Sequence, residues 1–400
     1  MTPIRTSPTT LTVGIVVLLT TFLFGLFLEK YKPLENDEIN SQYYSVNNIS
    51  YGQIIKGQIR EGNTAPLFYL LQKLISDAGG FAAPESWVKD VRVSRDPYPC
   101  ILLRLQPILW MALSAALLFL YFGRQYSWAA GMLSLIIFYS IPTIPLYMSF
   151  ARPYALWFFL TTLQTVIFLS LVRRRLSAQS TDTVPYAGLF WLQLVHLLLA
   201  LTILLSLINI YIVCLGLWLF RFRRLRDYVG LMAVPSLVSF YYFQNAPRYT
   251  FNLAQPVSAY ITENAPLELC LIAGVVLIIY SFYKKRKAAY GENLPTQALI
   301  VIPASLFFSL LISAFVLFFY LKWSFSDSGQ WFYFAPRYSL FLAPAVIMAA
   351  THAVVAISRS LKDAPWFRLN CFVIILTMII HVYLKNYSLW NIVEIFIPLS

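Results

Sequence analysis

Residues 11–28 read LTVGIVVLLTTFLFGLFL, a run of 18 residues without a charge. As a helix it is about 27 Å long at roughly 1.5 Å per residue, close to the hydrocarbon thickness of a bilayer. A signal peptide has a shorter apolar core that ends in small residues at a cleavage site. Here Glu29-Lys30-Tyr31-Lys32 follows directly. The run is expected to be a retained transmembrane helix.

Similar apolar runs recur near 101–122, 127–147, 153–172, 188–206, 207–220, 228–244, 266–283, 296–320, 339–358 and 370–384. With the first run they predict an all-α polytopic membrane protein of about 11 transmembrane helices. The short stretch 188–220 fits either two spans or one re-entrant pair. The tail LWNIVEIFIPLS (389–400) reads as interfacial.

Composition points the same way. Of 400 residues, 59% are hydrophobic and 12% charged, with a mean hydropathy of +0.67. Soluble domains carry about 25% charged residues. The formal charge of +13 is not a nucleic-acid signature here, because the basic residues form short clusters between apolar runs. Such clusters orient a membrane protein. Cys100, Cys214, Cys270 and Cys371 lie in or beside apolar runs with no CxxC spacing, and read as packing residues.

Arg173-Arg174-Arg175, the group Arg221, Arg223, Arg224 and Arg226, and Lys284-Lys285-Arg286-Lys287 are expected to be cytoplasmic. Counting spans outward puts Met1 inside and residues 29–100 outside, with further outer loops at 148–152, 245–265 and 321–338. Nine of the seventeen acids fall within 29–100. The chain reads as one domain, 1–400, without internal repeats or an appended soluble unit. The 72-residue outer segment is too long for a plain connection. Ile39, Tyr43, Val46, Ser50 and Ile54 follow a helical stripe, which predicts a helix lying in the interface; APLFYLLQKLI (65–75) predicts a second.

Within this segment Asn36-Asp37-Glu38 places two acids together. They fit a plain structural role: Asn or Asp caps a helix, and an acid in the first turn suits the dipole. Asn40 rather than Glu or Gln stands three residues after Asp37, so a capping-box partner is missing. They also fit a functional role if basic groups converge on them. Three outer segments carry an Arg–Tyr pattern: FARPYAL (Arg152, Tyr154), NAPRYTF (Arg248, Tyr249) and FAPRYSL (Arg337, Tyr338). Each alone is an ordinary interface anchor. Together, on the side of the acid pair, they suggest a face for an anionic head group, since the guanidinium fork suits phosphate.

The order of these segments resembles the polyprenyl-phosphate-sugar-dependent membrane glycosyltransferases of the GT-C class, in particular the protein O-mannosyltransferase and lipid A aminoarabinose transferase branch. The matching pieces are Asp37-Glu38, NTAPLFYLL (63–71), LLRLQPILWMALSAALLFLYFGRQY (102–126), SIPTIPLYMSFARPYAL (140–156) and FAPRYSLFLAP (334–344). The likeness covers 30–160 well and is patchy beyond. Many relatives read His-Pro-Pro-Leu-Tyr where this chain has Thr64-Ala65-Pro66-Leu67-Phe68, which removes a histidine from any acceptor or metal contact there.

The resemblance implies an inverting sugar transfer from a polyprenyl-phosphate donor to an acceptor glycan, lipid or protein on the extracytoplasmic side. A bacterial inner membrane is the expected setting, because 400 residues are compact for this class. By the resemblance, Asp37 is the base and Glu38 orients acceptor or sugar. Arg152 and Arg337 hold the phosphate, Tyr154 and Tyr338 lie near the head group, and Arg60, Arg104 and Arg248 are further candidates. The inventory suits this: there is no GxGxxG or P-loop of a nucleotide-sugar enzyme. A lipid phosphate leaves without an acid, unlike glycoside hydrolysis. No cofactor is expected. His196, His352 and His381 lie in separate apolar runs and read as hydrogen-bonded helix residues. A divalent metal held by Asp37-Glu38 with Asp90 or Asp96, as in oligosaccharyltransferase relatives, is the second reading. Trp331–Phe334 reads as an interfacial belt. The rival functions are a flippase or transporter of polyprenyl-linked sugars, for which repeats and midplane ionisable groups are missing, and an inactive scaffold.

Overall fold

A computed structural model describes residues 8–29, 34–61, 65–86, 97–141, 143–177, 186–219, 225–245 and 340–360. The expected spans 266–283, 296–320 and 370–384 and the tail lie outside the described residues, as do Asp90, Asp96, Arg248, Arg337 and Tyr338.

Among the described residues the fold is helical. Helix α1 (Pro8–Glu29) is followed by the short helices α2 (Asn36–Gln42), α3 (Tyr51–Ile55) and α4 (Pro66–Ala78). Then come α5 (Pro97–Gln125), α6 (Trp128–Ser140), α7 (Thr143–Met148), α8 (Tyr154–Ser177), α9 (Tyr186–Ala200), α10 (Ser206–Leu219), α11 (Leu225–Asn245) and α12 (Ala343–Ser360). Three of them, within 8–27, 98–125 and 154–174, are long and apolar enough to cross a membrane. These fit a membrane protein.

Helix α5 is the central post, in contact with α1, α4, α6, α7 and α8. Small residues let α1 approach it. A Cβ on Gly14 would come within 2.5 Å of Leu120, and one on Gly25 within 2.6 Å of Ile108. The opposite face of α1, with Ile15, Leu19 and Leu23, is exposed, as a lipid-facing stripe is. Gly131 similarly lets α6 meet Phe119, whose ring would lie 2.8 Å from an added Cβ. At the same end of α5, His352 of α12 sits between Tyr126 (Nδ1 to hydroxyl, 2.8 Å) and Tyr121 (Nε2 to hydroxyl, 3.3 Å).

Two helices contain an internal proline, and each is repaired from a neighbour. Pro107 has no N–H, so the Leu103 carbonyl loses its helical donor. The buried Gln72 side chain of α4 donates to that carbonyl at 2.9 Å. Its own Oε1 accepts from Gln106 at 2.9 Å, and Gln106 Oε1 accepts from Trp110 at 3.3 Å. Pro235 frees the Leu231 carbonyl in the same way, and His196 Nδ1 of α9 stands 3.3 Å from it. In an apolar bundle each freed carbonyl needs such a partner.

The structure divides two expected elements and gives the length of a third, paired one. The run 127–147 is α6 and α7, because Ile141 adopts φ −80°, ψ 110° ahead of Pro142; the residue before a proline is driven out of the helical region. The stripe Ile39–Ile54 is two helices. After α2 comes a π-helical turn, Tyr43–Asn47, closed by Asn48 N–H to the Tyr43 carbonyl at 3.2 Å. Ser50 then caps α3: its hydroxyl accepts from Gln53 N–H at 3.3 Å and its N–H donates to Gln53 Oε1 at 2.8 Å. Ile39, Val46 and Ile54 keep the inward positions of the stripe, whereas Ser50 is exposed at the break. The stretch 188–220 is a hairpin of helices of 15 and 14 residues. At 1.5 Å per residue these are only about 22 and 21 Å long, short of the roughly 30 Å hydrocarbon core.

The tip of this hairpin meets the segment that joins α1 to α5. Ala65 and Leu67 donate their N–H groups to the Thr202 and Leu201 carbonyls at 3.0 and 2.9 Å. The first turn of a helix has N–H groups without intrahelical acceptors, and Pro66 between them has none to place. The start of α4 is thereby fixed.

Candidate functional site

The site is built on the first turn of α2. Its cap is Glu35, extended at φ −83°, ψ 155°, and the Glu38 side chain accepts the Glu35 N–H at 2.9 Å. The acid three residues after the cap is thus present, but counted from Glu35; the expectation based on Asp37 and Asn40 misplaced the helix start.

Glu38 is fully committed. Arg104 of α5 donates Nε to Oε1 at 3.0 Å and Nη2 to Oε2 at 2.6 Å, with both side chains wholly buried. Ala151 N–H adds a bond to Oε1 at 2.7 Å. With the Glu35 N–H, four donors meet two carboxylate oxygens, which fills about four lone-pair positions. Leu34, Ile39, Cys100, Leu103 and Ala151 pack in one small cluster beneath. Glu38 therefore anchors α2 to α5 and to residue 151. It has no capacity left for a metal or a sugar hydroxyl, and Arg104 none of the freedom that an anion-binding candidate needs.

Asp37, one helical step back, is half-buried. Its backbone carbonyl accepts from Arg152 Nη1 at 3.1 Å. Nη1 also donates to Glu61 Oε1 at 2.7 Å and to the Ser41 hydroxyl, which itself donates to Glu61 at 2.5 Å. Burial works against the Arg152 charge, but Tyr154, Glu61, Tyr69 and Asp37 outweigh it and hold the guanidinium well above its ordinary value. One edge of the guanidinium differs: Nε is buried without a hydrogen-bond partner among the described residues. A buried N–H of a charged group is costly to leave unmatched, and this one is half of the fork that grips oxyanions bidentately.

The other expected residues are placed as follows. Tyr154 is buried, stacked on Phe150 at 6.3 Å between centroids and edge-on to Tyr147 at 5.7 Å. Arg60 is exposed and turns its guanidinium over the Tyr44 ring, 5.0 Å from the centroid. His196 and His352 are hydrogen-bonded helix residues, as expected. Arg248, Arg337, Tyr338, Asp90 and Asp96 lie outside the described residues. Sequence reasoning missed Glu61 and Ser41. Neither sits in a motif, and both become visible only through Arg152, 91 and 111 positions away.

In comparisons with known proteins, no family model, no curated protein and no solved structure matches this chain.

Proposed function

We propose that this chain is an integral membrane glycosyltransferase of about 11 transmembrane helices. It transfers a sugar from a polyprenyl-phosphate-linked donor to an acceptor hydroxyl on the extracytoplasmic face, in a bacterial inner membrane. The observation that carries the reading is Arg152: a buried guanidinium with Nη1 fixed by Glu61, Ser41 and the Asp37 carbonyl, and Nε unmatched among the described residues. A lipid phosphodiester oxygen is the ligand that this edge suits.

The chemistry asks for little more. Asp37 takes the proton of the acceptor hydroxyl as its oxygen attacks the anomeric carbon. The bond from that carbon to the phosphate oxygen breaks with inversion, and the electron pair leaves with the phosphate. Arg152 offsets the charge that develops there, joined in this proposal by Arg337, Tyr338 and Arg248. One placed base contributes about 10²–10⁴-fold, and positioning and electrostatics supply the rest. Glu38 acts through Arg104, holding the turn that carries Asp37, rather than touching the sugar as first expected. Tyr154 backs the site from its aromatic cluster.

The test is Asp37→Asn in cells lacking the wild-type copy, read by mass spectrometry of envelope glycans and lipids. The expected result is loss of one glycoconjugate while the variant accumulates normally. Unchanged glycoconjugates would remove the transferase reading and leave the flippase or scaffold.

A further inference from the structure

A second polar feature lies inside the bundle, apart from Asp37 and Arg152. Helices α8 and α10 are joined by a hydrogen bond from Asn209 Nδ2 to Thr161 Oγ1 at 3.3 Å. Around it, Trp157 Nε1, both amide atoms of Gln164, Ser206 Oγ and Asn209 Oδ1 are buried with no hydrogen-bond partner among the described residues. All four side chains are 0% exposed.

The spacing puts them on one seam. Trp157, Thr161 and Gln164 are four and three residues apart, and Ser206 and Asn209 are three apart, so each set lies along one helix face. From Trp157 to Gln164 the seam is roughly 10 Å long. It starts one turn inward of Arg152. Neither 154–172 of α8 nor 206–219 of α10 contains a Lys, Arg, Asp or Glu. A polar side chain in a membrane interior that satisfies nothing is expensive, and such residues mark binding or conduction paths.

The chemistry of the occupant follows from the atoms left over. The indole N–H, the Gln164 amide N–H and the Ser206 O–H donate; Gln164 Oε1, Asn209 Oδ1 and Ser206 Oγ accept. The seam therefore calls for a neutral group that both donates and accepts, and it offers nothing to an ion. We infer that the α8–α10 seam is a hydrated groove that binds uncharged hydroxyl groups, opening toward Arg152. Water and sugar hydroxyls share that chemistry. This holds whether or not Asp37 and Arg152 carry out sugar transfer.

The experiment uses the full chain in membrane vesicles. Ser206→Cys, Asn209→Cys and Gln164→Cys are each made in a background without Cys100, Cys270 and Cys371, and reacted with the neutral reagent 2-hydroxyethyl methanethiosulfonate. Ser206→Cys only exchanges oxygen for sulfur, so it is read even if the other two misfold. The dry reference is the buried native Cys214, on the same helix and about 140° around from Asn209. The three introduced thiols are expected to react at least about tenfold faster than Cys214, because a dry thiol reacts only through local opening. Repeating the reaction with excess glucose separates the sources. Slower labelling identifies sugar hydroxyls as ligands, and unchanged labelling identifies water; either upholds the groove. If all three thiols are as slow as Cys214, the seam is dry and the inference is overturned.

Discussion

Asp37 and Glu38 carry the same functional group, and one step of helix gives them different tasks. The step turns Glu38 inward to Arg104, where both side chains lose all contact with solvent. Breaking such a buried pair costs about 3–5 kcal/mol, because one charge is left uncompensated. Glu38→Ala is therefore expected to lower the thermal stability of the detergent-solubilised protein by that order. Replacing both partners together, Glu38→Leu with Arg104→Met, is expected to cost much less than Glu38→Ala. Asp37→Asn, at a half-buried position, is expected to leave the unfolding temperature nearly unchanged. The reverse ranking would show that Glu38 is not the anchor. At this scale the sequence singled out the acid pair and Arg152 as candidates, and the resemblance gave the two acids different roles. It did not reveal that Glu38 is held by Arg104, because that contact spans 66 positions and no local pattern encodes it.

The elements follow the apolar runs closely, since length and hydropathy alone define a helix that can live in lipid. Their interruptions follow from local chemistry that the apolar stripe hides. Pro142 ends α6, and the Ser50–Gln53 pair starts α3; both signals are short and polar against a long apolar background. The internal prolines lead to a sharper expectation. Gln72→Leu strands the Leu103 carbonyl in the bundle, at about 1–3 kcal/mol. Pro107→Ala added to it restores the helical N–H and should recover much of that loss, a coupling that a double-mutant cycle of thermal unfolding measures. Two independent losses that simply add would refute the repair. Glycines give a second contrast. Gly131→Ala pushes a Cβ to 2.8 Å from the Phe119 ring and 3.0 Å from its carbonyl, and overpacking of this kind costs about 1–3 kcal/mol. Gly230→Ala meets nothing within 4 Å among the described residues and is expected to be neutral or slightly stabilising.

For the whole molecule, the basic clusters set an orientation that single cysteines test. In a background without native cysteines, Gln53→Cys on exposed α3 should react with an impermeant maleimide on intact cells. Ala129→Cys, exposed at the start of α6, should react only after the membrane is permeabilised. The opposite pattern would invert the topology and place Asp37 on the cytoplasmic side. The hairpin of α9 and α10 could not be read in full from the sequence. Its apolar composition fits a span, and only its contact with Ala65 and Leu67 shows where its tip ends.

That contact also bears on the order in which the protein comes into being. A nascent chain halted near residue 180 already holds Asp37, Glu38, Glu61, Arg104 and Arg152, yet it has not made the two carbonyls on which α4 rests. Residues translated first must wait for residues made much later, so the start of α4 is finished only once the hairpin has been synthesised and docked on it.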